Sequence, residues 1–350
     1  MRERRRPMGK VYVGLDVGSS TCHLVAMDKD KSVVADRKFD TGESNLIKAV
    51  EELKGEVHLH LEASELAGWV RRVLKGRVDR IVVGHPKSNA WIAKDPLKRD
   101  RLDAYKLADL LRMDQVHEVY YADDDHRTVF KQIVQHYDDV TGQEIRLKFK
   151  IKAALREQGV IAKGLDVYTG EGREKFIAAV PSAAAREAVR PLYGLMDVTL
   201  KAQKDARTLM RRESLRYPEI ARFEEVPGLG LVTSCRFSAY VQTPHRFSTK
   251  RKLWRYCRLG ITDRQSDGKP LGRKALDWNG NGRLKDMSRK AFQGAMKARD
   301  DNMFKRTYRQ VVQTTHNESH ARLTTQRKIL AVLLAMWKGG TAYEESLGKG

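Results

Sequence analysis

The chain has 350 residues, enough for two or three domains with buried cores. Hydrophobic residues make up 41% and charged residues 32%, the balance of a globular, highly charged, soluble protein. A net charge of +22 and a pI near 9.9 argue for a nucleic-acid partner over a small acidic ligand. Cys22, Cys235 and Cys257 lie far apart, which excludes a cysteine zinc site and reads as reduced thiols. The start, Met-Arg-Glu-Arg-Arg-Arg-Pro, is followed by no apolar run of signal-peptide length. The late apolar run Ile329–Trp337 is too short to span a bilayer. The expected location is the cytoplasm, with no membrane partner, and Arg2 to Arg6 read as an arm able to touch phosphates.

Residues 9–123 alternate between strand and helix patterns. Strands are expected over 11–17, 22–28, 32–39, 57–62 and 80–84. The first three are joined by short turns and form an antiparallel meander. Helices are expected over 45–53, 65–74 and 104–111, each with apolar residues on one face. The order βββαβαβα matches a ribonuclease H-like α/β architecture with a mixed sheet. Four carboxylates stand out in it. Asp16 ends the first strand and Glu62 ends the fourth, while Asp100 and Asp103 sit three apart at the mouth of the last helix. Acids at strand ends facing a pair one helical turn apart build a site for two Mg²⁺ ions, which hydrolyse or transfer phosphodiesters. Glu65 is the nearest competitor to Glu62.

Residues 124–220 read as mainly helical. Phe130, Ile133, Val134 and Tyr137 keep helical spacing, as do Val189, Leu192, Met196, Leu200 and Leu209. Ile145 to Ile151 alternate like a strand but run on into good helix formers, so helix is favoured. Gly142 is expected to break the first arm, and Gly164–Glu174 to form a loop joining two arms. The result is a helical hairpin, a coiled coil used for dimerisation in one reading and an ordinary helical subdomain in the other.

Residues 221–345 form a third region. Val226-Pro-Gly-Leu-Gly-Leu-Val resembles the turn of a helix–hairpin–helix, where backbone N–H groups approach a phosphate. Arg246 to Asp300 holds sixteen Lys/Arg against five Asp/Glu, half of the chain's excess charge in under a sixth of its length. Phe247, Trp254, Tyr256 and Trp278 interleave with Arg251, Lys252, Arg255, Arg258, Arg273, Lys274, Arg283 and Lys285. Cations among aromatics suit backbone contact and base stacking. Within this stretch, Ser266 in Gln265-Ser-Asp-Gly-Lys reads as a phosphate-binding hydroxyl, a nucleophile or a plain turn residue.

Gly14-Leu-Asp-Val-Gly-Ser-Ser-Thr also resembles the first phosphate loop of actin-like ATPases and sugar kinases, but no second Asp-Gly loop or adenosine pocket follows. Taken as a set, the motifs resemble the DEDD-type insertion-sequence transposases of the IS110 family, whose members include RNA-guided recombinases. The marks are Gly14-Leu-Asp16-Val, Leu61-Glu62-Ala-Ser and Lys98-Arg-Asp100-Arg-Leu-Asp103-Ala. Val226-Pro-Gly-Leu-Gly, Arg246-Phe-Ser, Leu259-Gly-Ile, Ser266-Asp-Gly and Gly280-Asn-Gly-Arg283-Leu-Lys follow. The resemblance implies that Asp16, Glu62, Asp100 and Asp103 bind Mg²⁺ in a Holliday-junction-resolvase-like domain. It implies that Ser266 is the nucleophile of a transposase domain and that a phosphoserine intermediate forms. It further implies double-stranded donor and target DNA, a noncoding guide RNA, and a dimer or tetramer. Asp267 follows Ser266 where the family pattern expects Ser-Gly directly. The alternative activity is a resolvase-like nuclease without serine chemistry.

Overall fold

The computed structural model describes residues 9–86, 100–122, 125–262, 265–266, 269–270 and 275–345. The chain divides into two compact units, residues 1–125 and 126–350. The first unit is an α/β layer structure. Its strands are β1 (Lys10–Val17), β2 (Thr21–Met27), β3 (Val33–Asp40), β4 (Glu56–Glu62) and β5 (Arg80–Gly84), and the sheet order is β3-β2-β1-β4-β5. The meander pairs antiparallel, while β1–β4 and β4–β5 pair parallel. The sheet is therefore mixed, as expected.

Alternation gives each strand two different faces. Val11, Val13 and Leu15 of β1 and Val57, Leu59 and Leu61 of β4 are buried in one core cluster. The same cluster takes Leu46, Ala49 and Val50 of α1 (Glu43–Glu51) and Ala67, Val70 and Leu74 of α2 (Ala67–Leu74). Each of these Val and Leu side chains contributes about 1.5–3 kcal/mol on burial. The opposite face carries Gly14 and His60, which pair across β1 and β4. It receives α3 (Asp100–Arg112), whose Ala104, Leu107 and Ala108 are buried. Gly14 makes this seating possible, because a Cβ there would stand 1.9 Å from the Ala104 carbonyl oxygen.

The second unit is mainly helical. α4 (Asp125–Glu157) and α6 (Ala183–Ser214) form an antiparallel pair, tied where the Gln203 amide donates to Thr141 Oγ1 at 3.1 Å and to Glu144 at 3.2 Å. Ile151, Leu155, Val189, Tyr193 and Met196 pack between them. Two expectations fail here. α4 runs through Gly142 without a break, because packing against α6 supports the helix on both sides of it. The stretch 164–174 is not a plain loop: α5 (Gly170–Ala178) begins within it, capped by the Thr169 hydroxyl. Gly172 is required there, since its Cβ would lie 1.8 Å from the Asp166 carbonyl oxygen.

Beyond the arms come α7 (Pro218–Glu224), α8 (Leu231–Val241), α9 (Lys250–Tyr256), α10 (Gly282–Lys297), α11 (Met303–Thr315) and α12 (Glu318–Gly339). One large core joins them and takes Phe130, Val134 and Tyr137 from the root of α4. Pro227-Gly228 makes the tight turn between α7 and α8, with Gly228 at φ +92°. A Cβ on Gly228 would be 2.2 Å from the Ala291 carbonyl oxygen, so this glycine serves close packing on α10. Between α9 and α10 lie two nested ladders. β6 (Ile261–Thr262) pairs with β9 (Ala275–Leu276), and β7 (Gln265–Ser266) pairs with β8 (Lys269–Pro270).

Candidate active site

The β1–β4 ladder fixes the first two acids. Leu15 pairs with Leu61, and one step further along these parallel strands stand Asp16 and Glu62. Asp16 is two residues past Gly14 and Glu62 two past His60, so both lie on the face that receives α3. Both are half-buried.

The direction of α3 follows from its contacts. At its end, Asp109 binds Lys31 at 2.9 Å and Arg112 donates to the Lys29 carbonyl, both in the β2–β3 turn. At its start, Arg101 binds Asp36, and Asp100 lies 3.7 Å from Lys38 on β3. Lys38 pairs with His23, and His23 with Asp16. The first turn of α3 therefore lies at the sheet end where Asp16 and Glu62 stand. Asp103 is half-buried and Asp100 exposed in that turn.

His60 locks the helix to the sheet. It is fully buried, and its Nδ1 lies 2.8 Å from the Leu107 carbonyl oxygen, so Nδ1–H donates. Burial lowers the His60 pKa from its ordinary value, and the bond to the Leu107 carbonyl selects the tautomer with hydrogen on Nδ1. Leu107 is one turn past Asp103, and His60 is two residues before Glu62. This bond thus ties the two elements that carry the acids. A second histidine, His23, faces Asp16 across β1–β2. Its Nε2 meets Asp36 Oδ1 at 2.7 Å. That hydrogen bond, with Arg101, holds the Asp36 carboxyl below the usual carboxylate value.

The second candidate element is the nested hairpin of the helical unit. Ser266 is placed by its backbone opposite Lys269. Its side chain lies outside the described residues. The hairpin rises from a well-tied base. Asp277 is buried, accepts from the Asn279 N–H at 2.8 Å and binds Arg255 at 2.9 Å. The Asn279 backbone hydrogen bond, helped by Arg255, holds the Asp277 carboxyl low. Asn281 caps α10 through the Arg283 and Leu284 N–H groups.

Two family models match this chain. The model for IS110-type DEDD transposases, described as "Transposase", covers residues 13–159. The model described as "Transposase IS116/IS110/IS902 family" covers residues 220–309. The chain belongs to the IS110 family of DEDD transposases. No curated protein matches it. The first match contains Asp16, Glu62, Asp100 and Asp103, and the second contains Ser266, so each set of candidate residues in the transposase lies inside its own family region.

Asp16 and Glu62 end neighbouring strands and Asp100 and Asp103 lie in the first turn of α3; carboxylates are the hard oxygen donors that suit Mg²⁺. Among the described residues no three His, Cys, Asp or Glu side chains already stand close enough together to hold an ion. The basic residues divide. Arg251 and Lys252 are exposed on α9. Arg255 is exposed but engaged with Asp277, and Arg258 donates to the Gly280 carbonyl. Arg283 is committed inward, to Asp138 at 3.0 Å and Asp139 at 2.7 Å. Lys285 places Nζ 5.2 Å from the Trp278 ring centre. Arg273 and Lys274 lie outside the described residues, as do Arg2 to Arg6.

Sequence reasoning missed His23, His60, Asp36 and Lys38. The signal for His23 was present: the short Gly18-Ser19-Ser20 turn sets a register that puts it opposite Asp16. His60 carried only the weak signal of a polar residue inside an apolar strand. No described helix is long and apolar enough to cross a membrane.

Proposed function

We propose that this transposase cuts and exchanges DNA strands of an insertion sequence through Ser266, with Asp16, Glu62, Asp100 and Asp103 holding Mg²⁺. The adjacent register of Asp16 and Glu62, beneath the first turn of α3, is the observation that carries the reading. Bound there, Mg²⁺ supplies charge neutralisation at the phosphodiester and lowers the barrier to attack. The four carboxylates are the donor type a hard divalent cation prefers, and that cation would be their counter-charge.

In the strand-transfer step, Ser266 Oγ attacks the phosphorus and its proton leaves to a base or solvent. A phosphoserine ester forms, the P–O3′ bond breaks, and the freed 3′-oxygen takes up a proton. Attack by a 3′-hydroxyl on the phosphoserine reverses the balance and regenerates Ser266. No phosphoester is lost, so exchange needs no external energy source. Arg251, Lys252, Arg255, Arg258 and Lys285 would hold backbone phosphates, which position DNA without reading sequence. A noncoding guide RNA would then supply sequence choice by pairing. Self-association to a dimer or tetramer accords with exposed Ile145 and Phe149 on α4 and Leu195 and Val198 on α6.

Incubation with DNA of the element's ends and Mg²⁺ tests the reading. Ser266→Ala is expected to abolish the covalent protein–DNA adduct while DNA binding persists. Cleavage that survives Ser266→Ala and is lost in Asp16→Asn would instead identify a nuclease using the acids alone. For the guide, the expected result is that RNA transcribed from beside the gene co-purifies and is required for exchange. Exchange with purified RNA-free protein would remove it.

A further inference from the structure

Trp278 is 76% exposed, the most exposed of the described tryptophans. Leaving an indole in water forgoes a large burial gain, so the ring's place calls for a reason. Its surroundings are rigid. The residue before it, Asp277, is buried and fixed by Asn279 and Arg255. Just after it, Gly280 is wedged so tightly that a Cβ would lie 2.4 Å from the Tyr256 carbonyl oxygen. Asn281 then caps the 16-residue α10. The backbone carrying Trp278 is therefore held on both sides while the ring projects into water.

The surroundings are also cationic. Lys285 Nζ sits 5.2 Å from the ring centre. Arg255 carries an exposed side chain, and the Arg258 guanidinium lies against Gly282 at the start of α10. A cation on one face of an aromatic ring leaves the other face for a planar partner. Beside cations, the planar partner that also brings negative charge is a nucleotide. The place in the fold sharpens this. Trp278 is two residues past the β6–β9 ladder, from which the segment bearing Ser266 extends.

We infer that Trp278 is a stacking platform for one unpaired nucleobase of the DNA strand being exchanged, with Lys285 behind the ring and Arg255 and Arg258 beside the flanking phosphates. The site rests on the strand-exchange reading for its biological role, but its binding chemistry stands without it. An unpaired base is required because a base inside a duplex offers no free face. Stacking is sequence-tolerant, so the platform would hold the strand in place and leave sequence choice to other parts.

The probes are single-stranded (dT)16 and a 16-mer of abasic nucleotides with the same phosphates, titrated into full-length protein. Trp278→Ala is expected to weaken (dT)16 about tenfold. It should leave the abasic 16-mer within about twofold of wild type, the mark of a lost base contact. Trp278→Phe should recover most of the (dT)16 affinity. Lys285→Ala should weaken both probes, through the backbone charge. Unchanged (dT)16 affinity in Trp278→Ala, or an equal loss on both probes, would overturn the platform. Because the ring is exposed, the variant should melt with wild type, and matched melting curves separate binding from misfolding. Ser266→Ala should keep the tenfold difference; if it also keeps the covalent adduct, the serine reading fails while the platform stands.

Discussion

Asp16 in the sheet unit and Asp138 in the helical unit are both aspartates on regular elements, in opposite company. Asp138 is only 8% exposed, yet two guanidiniums and a phenol meet it: Arg236 at 2.6 Å, Arg283 at 3.0 Å and the Tyr240 hydroxyl at 2.9 Å. Asp16 instead follows a ladder into Glu62 and shares its sheet end with Asp103 and Asp100. The first carboxylate is neutralised by the fold itself. The second lies half-buried at a sheet end, one step past the register that pairs its strand with that of Glu62. A carboxylate answered by guanidiniums from other helices holds structure together. On the proposed function, the acids at the sheet end are instead kept for what they bind, at some cost in stability.

The comparison breaks most sharply in activity. Asp16→Asn is expected to lower DNA cleavage by at least about 100-fold, while calorimetry finds a far smaller change in melting than in Asp138→Asn. A large loss of melting temperature would place Asp16 with Asp138 as a structural residue. Asp138→Asn should do the reverse: it leaves Arg236 buried beside a neutral partner and costs about 3–5 kcal/mol in urea unfolding. Little change there would mean that Asp286, 3.8 Å from Arg236, takes over as its partner.

Smaller effects sharpen the account of how the acids are held. Gly14→Ala forces α3 away from β1 and should cost about 1–3 kcal/mol by overpacking. A wild-type unfolding midpoint would mean that the helix yields without penalty. His60→Leu removes the bond that the Leu107 carbonyl accepts beyond its helical one, for about 0.5–1.5 kcal/mol, and faster amide exchange across 100–107 should report the loosened helix. His60→Asn, which keeps a donor near the Nδ1 position, should recover part of both.

The smallest effect is in acid. Burial works to raise the Asp109 carboxyl, but hydrogen bonds from Lys31 and Arg112 outweigh it and hold the group below its ordinary value of 3.8. A depressed carboxyl adds stability that is complete above the unfolded value. That stability is lost as pH falls through the folded one. Asp109→Asn should therefore flatten stability below about pH 4 and reduce it at neutral pH. An acid slope unchanged in the variant would assign it to other carboxylates.

The regular parts of this molecule were legible because alternation and helical spacing bury one face each. Val11, Val13 and Leu15 announce β1, and Asp16 then falls on the other face with no further information. The helix over 170–178 hid behind glycines, of which Gly172 serves close approach to Asp166. The ladders around Ser266 are two residues long, too short for any periodicity. His23 became visible only once β2 had a register. What one strand does was written in its own residues, whereas what two strands bring together depended on turn lengths that pattern alone weighs poorly.

The parallel pairing of β1 and β4 has one more consequence. Side chains on a strand change sides with every residue, so losing one residue between Val11 and Leu15 would swing Asp16 round among Leu46 and Val50. Substitutions along these two strands keep each acid on its face, whereas lengthening or shortening either strand by one residue ahead of its acid turns that acid to the other face. Only a change of two residues restores the side, so the spacing from the start of each strand to its acid behaves as a ruler with only even graduations.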